Sequence, residues 1–157
     1  MLAHFHRTAF AASVALASGC GATTGAARVD EPLSSEGRAL GPATLKAKLV
    51  AELARGHDGA RCAYAKLGQR GGEVYVWALC EAFDGARVVW AVSQPAVVAV
   101  DWSAGAVVSI RVPGDGDQYP KDAEKLFPES LQSVVLQRDI DGANRRVRAL
   151  EEALARE

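Results

Sequence analysis

Leu45, Leu49 and Leu53 recur every four residues, while Lys46, Lys48 and Glu52 fall between them. That spacing puts the three leucines on one side of a helix. Pro42 suits the first helical position, where its missing N–H costs nothing, and Gly56 suits the stop. The pattern predicts a helix over 42–55 whose leucine stripe packs into a core rather than against a partner.

After Gly56 the period changes to two. Segments 61–67 and 73–83 flank Gln69-Arg70-Gly71-Gly72, a turn signal between two strand-like runs. In the second run Val74, Val76, Ala78, Cys80 and Ala82 alternate with Tyr75, Trp77, Leu79, Glu81 and Phe83, so both faces read as apolar as far as Leu79. With Gly71 at the hairpin centre, Cys62 stands opposite Cys80. Opposed strand residues lie about 4.5–5.5 Å apart between Cα atoms, which suits a disulfide. A two-residue Gly71-Gly72 turn would slip the register by one and spoil that pairing. We expect the centred hairpin and a Cys62–Cys80 bond, against the alternative of two buried thiols.

Asp84-Gly85 marks the next turn. Strand-like runs 87–92 and 96–102 follow, with Ser93-Gln94-Pro95 between them as a bulge or loop, and Ser103-Ala104-Gly105 turns the chain into 106–112. The many β-branched residues favour strands throughout. The stretch PGDGDQYP, 113–120, breaks this pattern, and helices are predicted over 120–127, 128–137 and 142–156. The last carries Val147, Leu150 and Leu154 on one side. A helix, a meander of four or five antiparallel strands and then helices, without β-α-β alternation, is an α+β arrangement. One helix across an antiparallel sheet resembles the cystatin-like and NTF2-like architectures, a likeness of shape that implies no activity.

The first 19 residues follow another rule. They contain no acidic side chain, Arg7 lies near the amino terminus, and 8–17 is almost entirely small or apolar. A membrane-crossing helix needs about 20 such residues, so this run fits the core of a signal peptide instead. Two cleavage sites compete. Ala15-Leu16-Ala17 is an A-x-A site for ordinary signal peptidase. Ala17-Ser18-Gly19-Cys20 resembles the lipobox of bacterial lipoproteins, with Ala17 where leucine is usual. The resemblance implies a Cys20 thiol carrying diacylglycerol, cleavage just before it and acylation of the new amino group. Gly21 in place of Asp implies, on the same resemblance, an outer-membrane position facing the periplasm if the cell has two membranes.

Cysteine arithmetic favours the lipobox. There are three cysteines, and lipid on Cys20 leaves Cys62 and Cys80 as an even pair. Without lipid, Cys20 would be a spare thiol in an oxidising compartment. The organisation expected is a signal peptide at 1–19, a lipid-attached flexible tether at 20–41 and one α+β domain at 42–157. The tether reading rests on its Gly, Ala, Thr, Ser, Glu and Pro content, which has little to bury. VYVWALCEAF (74–83) together with PGDGDQYPKDAEKLFPE (113–129) also resembles a pattern in small exported bacterial proteins of uncharacterised function, a resemblance that implies export and no particular activity.

Composition adds exclusions. Formal net charge is −1, so no excess of positive charge recommends nucleic acid as a partner. Arg145, Arg146 and Arg148 are followed by Glu151, Glu152 and Glu157, and the stretch reads as a solvated helix face. His4 and His6 fall in the signal segment, which leaves His57, in RGHDG, as a solvated loop histidine with Asp58 beside it. G-x-S-x-G, Walker and H-E-x-x-H motifs are missing from the sequence, and nothing calls for a cofactor. Asp115, Asp117 and Asp122 are weak metal candidates. Calcium favours six to eight oxygens, but Tyr119 occupies the third ligand position of an EF-hand count and no glutamate ends it. A turn followed by a capped helix explains the acids equally well. Among Trp77, Trp90 and Trp102, the last ends its strand and is the candidate ligand surface.

The reading that follows is a lipid-anchored cell-envelope protein. Its domain binds or supports without catalysing, and its partners are the membrane, through the anchor, and an unidentified envelope protein or ligand. A secreted inhibitor or ligand carrier, and a small carboxylate-dependent enzyme using Asp115, are the alternatives.

Overall fold

The computed structural model describes residues 40–138 and 140–156. The expected signal peptide, Cys20 and the tether up to residue 39 lie outside them. Helix α1 spans Pro42–Leu53, with Pro42 in its first turn. Leu45 and Leu49 are buried and Leu53 is half-buried, so the leucine stripe faces inward. The chain leaves the helix through Gly56 at φ 83°, a left-handed backbone that favours glycine.

Four strands follow: β1 (Arg61–Arg70), β2 (Glu73–Asp84), β3 (Arg87–Asp101) and β4 (Ala106–Arg111). They pair antiparallel in the order β1-β2-β3-β4, each strand beside its neighbour in sequence. A short 3-10 turn, Gly116–Gln118, leads into α2 (Tyr119–Leu126), α3 (Glu129–Val135) and α4 (Ile140–Leu154). Among the described residues the fold is thus α+β, with one four-stranded antiparallel sheet and four helices.

The sheet is buried on both faces. On one, Val74, Val76, Ala78 and Cys80 of β2 join Ala96, Val98 and Val100 of β3 beneath Leu45 and Leu49 of α1. On the other, Tyr75 and Val97 pack against Ala123, Phe127, Leu131 and Val135 of the α2–α3 segment. Trp77 and Leu79 continue that second face against Leu150 and Leu154 of α4. Helix α3 ends in a Schellman arrangement: the Arg138 N–H reaches the Ser133 carbonyl at 3.0 Å and the Gln137 N–H the Val134 carbonyl at 3.2 Å, with Gln137 at φ 53°.

Two expectations about the sheet are corrected. The β1–β2 hairpin is not centred on Gly71. Arg70 faces Glu73 across a two-residue Gly71-Gly72 turn, the geometry expected to misalign the cysteines. A bulge between Lys66 and Gly68 takes up the extra residue, Leu67, and restores Cys62 opposite Cys80. The second correction is that Ser93-Gln94-Pro95 does not interrupt β3. Ser93, Gln94 and Pro95 stay paired with Leu79, Ala78 and Trp77 of β2. Proline fits because β4 stops at Arg111 opposite Val97, so at Pro95 the strand has no ladder on its far side.

Candidate functional site

Near its hairpin turns, the α1 side of the sheet contains a cavity of about 210 Å³. Leu40 and Leu45 close it from the start of α1, and Val74 forms part of its floor on β2. Tyr64, Lys66 and Gln69 enter from β1, and Trp102 from the β3–β4 turn. The bulge builds this wall. Residues three apart on a regular strand point to opposite faces. With Leu67 inserted, Lys66 pairs with Val76 and Gln69 with Val74, both on the α1 face.

Lys66 Nζ donates to Gln69 Oε1 at 3.0 Å. Gln69 is only 5 % exposed and is the one buried polar or charged residue among the described residues. Burial pushes the Tyr64 phenol above its ordinary pKa, so it remains a neutral hydroxyl. The Trp102 indole Nε1–H donates to the Gly71 carbonyl at 3.0 Å. The Val100 N–H donates to the Gly72 carbonyl at 2.8 Å, so both turns are tied together at the cavity rim. Trp102 itself is preceded by an Asp101 turn: the carboxylate accepts from the Ser103 N–H at 2.9 Å and its hydroxyl at 2.6 Å, and from the Ala104 N–H at 3.2 Å. The Ser103 hydroxyl first, then the two amides, hold the Asp101 carboxyl below its ordinary pKa.

At the opposite end of the same face, Cys62 and Cys80 form a disulfide with Cα atoms 4.1 Å apart. Beyond it, His57 stacks on Trp90 at 4.0 Å between ring centroids. His57 is therefore a half-buried packing residue, not the solvated loop side chain expected. The three acids do not converge either. Asp115 and Asp117 are exposed, while Asp122 accepts from the Gly114 N–H at 3.1 Å and lies 3.8 Å from Lys125 Nζ. Among the described residues His, Cys, Asp and Glu side chains form no group able to hold a metal ion.

Of the tryptophans, Trp77 is buried and donates to Ser93 Oγ at 3.0 Å, with the Arg146 guanidinium 5.3 Å from its ring centre. Trp102 alone of the three lines the cavity, and Asp115 does not. Nothing in the sequence patterns points to Lys66, Gln69 or Tyr64. The signal that finds them is a conflict: Gly71-Gly72 as a two-residue turn and Cys62 opposite Cys80 are compatible only with one extra residue between the cysteine and the turn. No helix among the described residues is long and apolar enough to cross a membrane.

Comparison with protein-family models, with curated proteins and with solved structures found no match.

Proposed function

We propose that the chain is a lipid-anchored cell-envelope protein of the lipobox class, held to the bilayer through Cys20 and carrying a non-catalytic α+β binding module. The observation that carries this reading is the Cys62–Cys80 bond. A disulfide persists in oxidising compartments outside the cytosol, and this one uses two of the three cysteines. Cys20 is left as the cysteine at the end of an apolar run, where a lipobox requires it. One acyl chain holds a protein to a membrane only marginally, but two or three on one residue hold it stably. The tether expected over 20–41, of which Leu40 already packs against the domain core, would then let the domain reach away from the surface.

A helix laid across an antiparallel sheet supports a cystatin-like or NTF2-like shape, to which α2, α3 and α4 add a second covering layer. For the module, the supporting feature is a cavity with a few convergent polar groups, the usual form of a small-ligand site. The anchor is tested by growing cells with clickable palmitate and isolating the wild type and Cys20→Ala. Labelled wild type and unlabelled variant are expected; equal labelling of both removes the anchor. The Ala15-Leu16-Ala17 site favours a second reading, a secreted ligand carrier cut after Ala17. Intact mass separates the two, because an acylated chain beginning at Cys20 differs from a bare one beginning at Ser18.

A further inference from the structure

The cavity beside Trp102 has an apolar wall and one polar corner, and this asymmetry describes a ligand. Leu40, Leu45, Val74 and the Trp102 ring supply the wall. Lys66 and Gln69 supply the corner, joined by their own hydrogen bond. Burying an amide is costly unless its polar atoms are bonded, yet Gln69 is buried here. Its oxygen is taken by the ammonium, so what it has left to offer is the pair of Nε2 donors. Lys66 forms no ion pair among the described residues, where the pairs are Arg55–Glu52, Arg111–Glu73 and Lys125–Asp122. The corner is therefore an ammonium beside amide donors, a set that lacks an anion.

The start of α1 adds the same sign. The helix begins between Leu40 and Leu45, both of which line the cavity, and its first turn carries no acidic residue. Unsatisfied N–H groups at a helix start favour negative charge nearby. Size limits the rest of the ligand. An apolar cavity of about 150 Å³ accepts benzene, and this one has about 210 Å³. A ring-sized body and one small charged group fill it.

We infer that the cavity binds a small monocarboxylate with an apolar body the size of about one aromatic ring. The carboxylate meets Lys66 Nζ and Gln69 Nε2, and the body lies against Trp102 and the leucines. The inference rests on reading the domain as a binding module and is independent of the anchor.

Phenylacetate is the probe, titrated into the full-length, disulfide-bonded chain while the three indole N–H signals are followed by NMR. The expected result is a saturable shift of the Trp102 signal with a dissociation constant of about 1 mM or below, with Trp77 and Trp90 unmoved. Lys66 is exposed, so Lys66→Gln leaves the fold intact. It should weaken phenylacetate about tenfold, the usual scale for a charged hydrogen bond, and leave the neutral isostere phenylacetamide unaffected. Equal phenylacetate affinity in Lys66→Gln and wild type overturns the carboxylate assignment. Binding of phenylacetamide but not phenylacetate also overturns it while leaving a binding module in place. No Trp102 shift from either probe up to about 10 mM removes the small-ligand site, and leaves the module reading with an envelope protein as its partner. The palmitate experiment would still decide the anchor.

Discussion

The two faces of the sheet are built to different specifications. One carries Tyr75, Trp77 and Leu79, and three helices cover it with Phe127, Leu131, Val135, Leu150 and Leu154. The other carries Val74, Val76, Ala78, Ala96 and Val98 beneath a single helix of 12 residues. Small side chains leave space, and one helix cannot fill it from end to end. At the far end the Cys62–Cys80 bond and the His57–Trp90 stack occupy the space. At the hairpin end part of it stays open as the cavity. A large aromatic under several helices produces packing; a valine-alanine floor under one helix produces room for a ligand.

Truncation on each face should expose that difference most strongly. Trp77→Ala removes a buried indole, its bond to Ser93 and its contact with Arg146. It should cost about 4 kcal/mol, the range for large aromatics in cores. Leu49→Ala, on the single-helix face, should cost about 3 kcal/mol. Urea unfolding of both variants measures the gap. A Leu49→Ala cost above that of Trp77→Ala would make the α1 face the better packed one and reverse the comparison.

Next in size is the disulfide, which only the α1 face possesses. Its ends are 18 residues apart in sequence, so the double variant Cys62→Ala/Cys80→Ala should lose about 3 kcal/mol by the loop-closure estimate. Deleting Leu67 should spare this bond. Without the surplus residue the two arms are equally long from the Gly71-Gly72 turn, and a regular ladder keeps Cys62 opposite Cys80. Thiol alkylation without reductant should then label neither cysteine in the deletion or in the wild type. Labelled cysteines in the deletion would show that the ladder does not run regularly from the turn to the bond.

These details mark how far periodicity carries. The leucine spacing and Pro42 lead directly to α1, and the two-residue alternation leads to an antiparallel meander, left at four or five strands by the pattern and four in the sheet. Those features are local: each depends on which side chains a repeating backbone puts on one face. The bulge at Leu67 is not local, since it arises from the demands of a turn and a disulfide at opposite ends of β1. Pro95 misleads for a related reason. Proline forbids a ladder bond on one side only, and whether β3 has a neighbour there depends on where β4 ends. The cavity was legible in part: Trp102 stands out as a strand-end aromatic, whereas Lys66 and Gln69 share a face only after the bulge is known. Cys20 and the expected tether up to residue 39 lie outside the described residues.

Alkaline pH should probe the helix-covered face. The Tyr75 hydroxyl donates to Glu73 at 3.0 Å, and Arg111 pairs with the same carboxylate. Burial first, then the bond to Glu73 and its charge, push Tyr75 up to about 12, against smaller opposing effects of Arg70 and Arg111. A raised folded pKa means that stability is complete below the ordinary value of 10.0 and falls as pH rises through about 12. The loss should reach about 2 kcal/mol. Tyr64 and Tyr119 are also pushed up by burial and share this limb. Tyr75→Phe should therefore flatten the decline between pH 10 and 12 without abolishing it, as followed by thermal unfolding at stepped pH. An undiminished slope in Tyr75→Phe would assign the alkaline limb to the other two.

Acid pH should probe the cavity side, with the smallest effect of all. Asp101 is held below its ordinary value by the Ser103 hydroxyl and the Ala104 and Ser103 amides. For a depressed carboxyl the stabilisation is present above its ordinary value, here 3.8, and disappears as pH falls through the lower folded value. Protonation removes the acceptor charge that orders the turn carrying Trp102, so the first response should be local. Asp101 is solvent-exposed, which keeps the global change small. The wild-type Trp102 indole N–H signal should move as pH falls below 3.8 while that of Trp77, sealed on the other face, stays in place. Asp101→Asn should show no such movement of Trp102, because its amide has no proton to gain there. Equal movement of the Trp77 and Trp102 signals would mean that acid loosens the whole domain and that the two faces are not separable in this way.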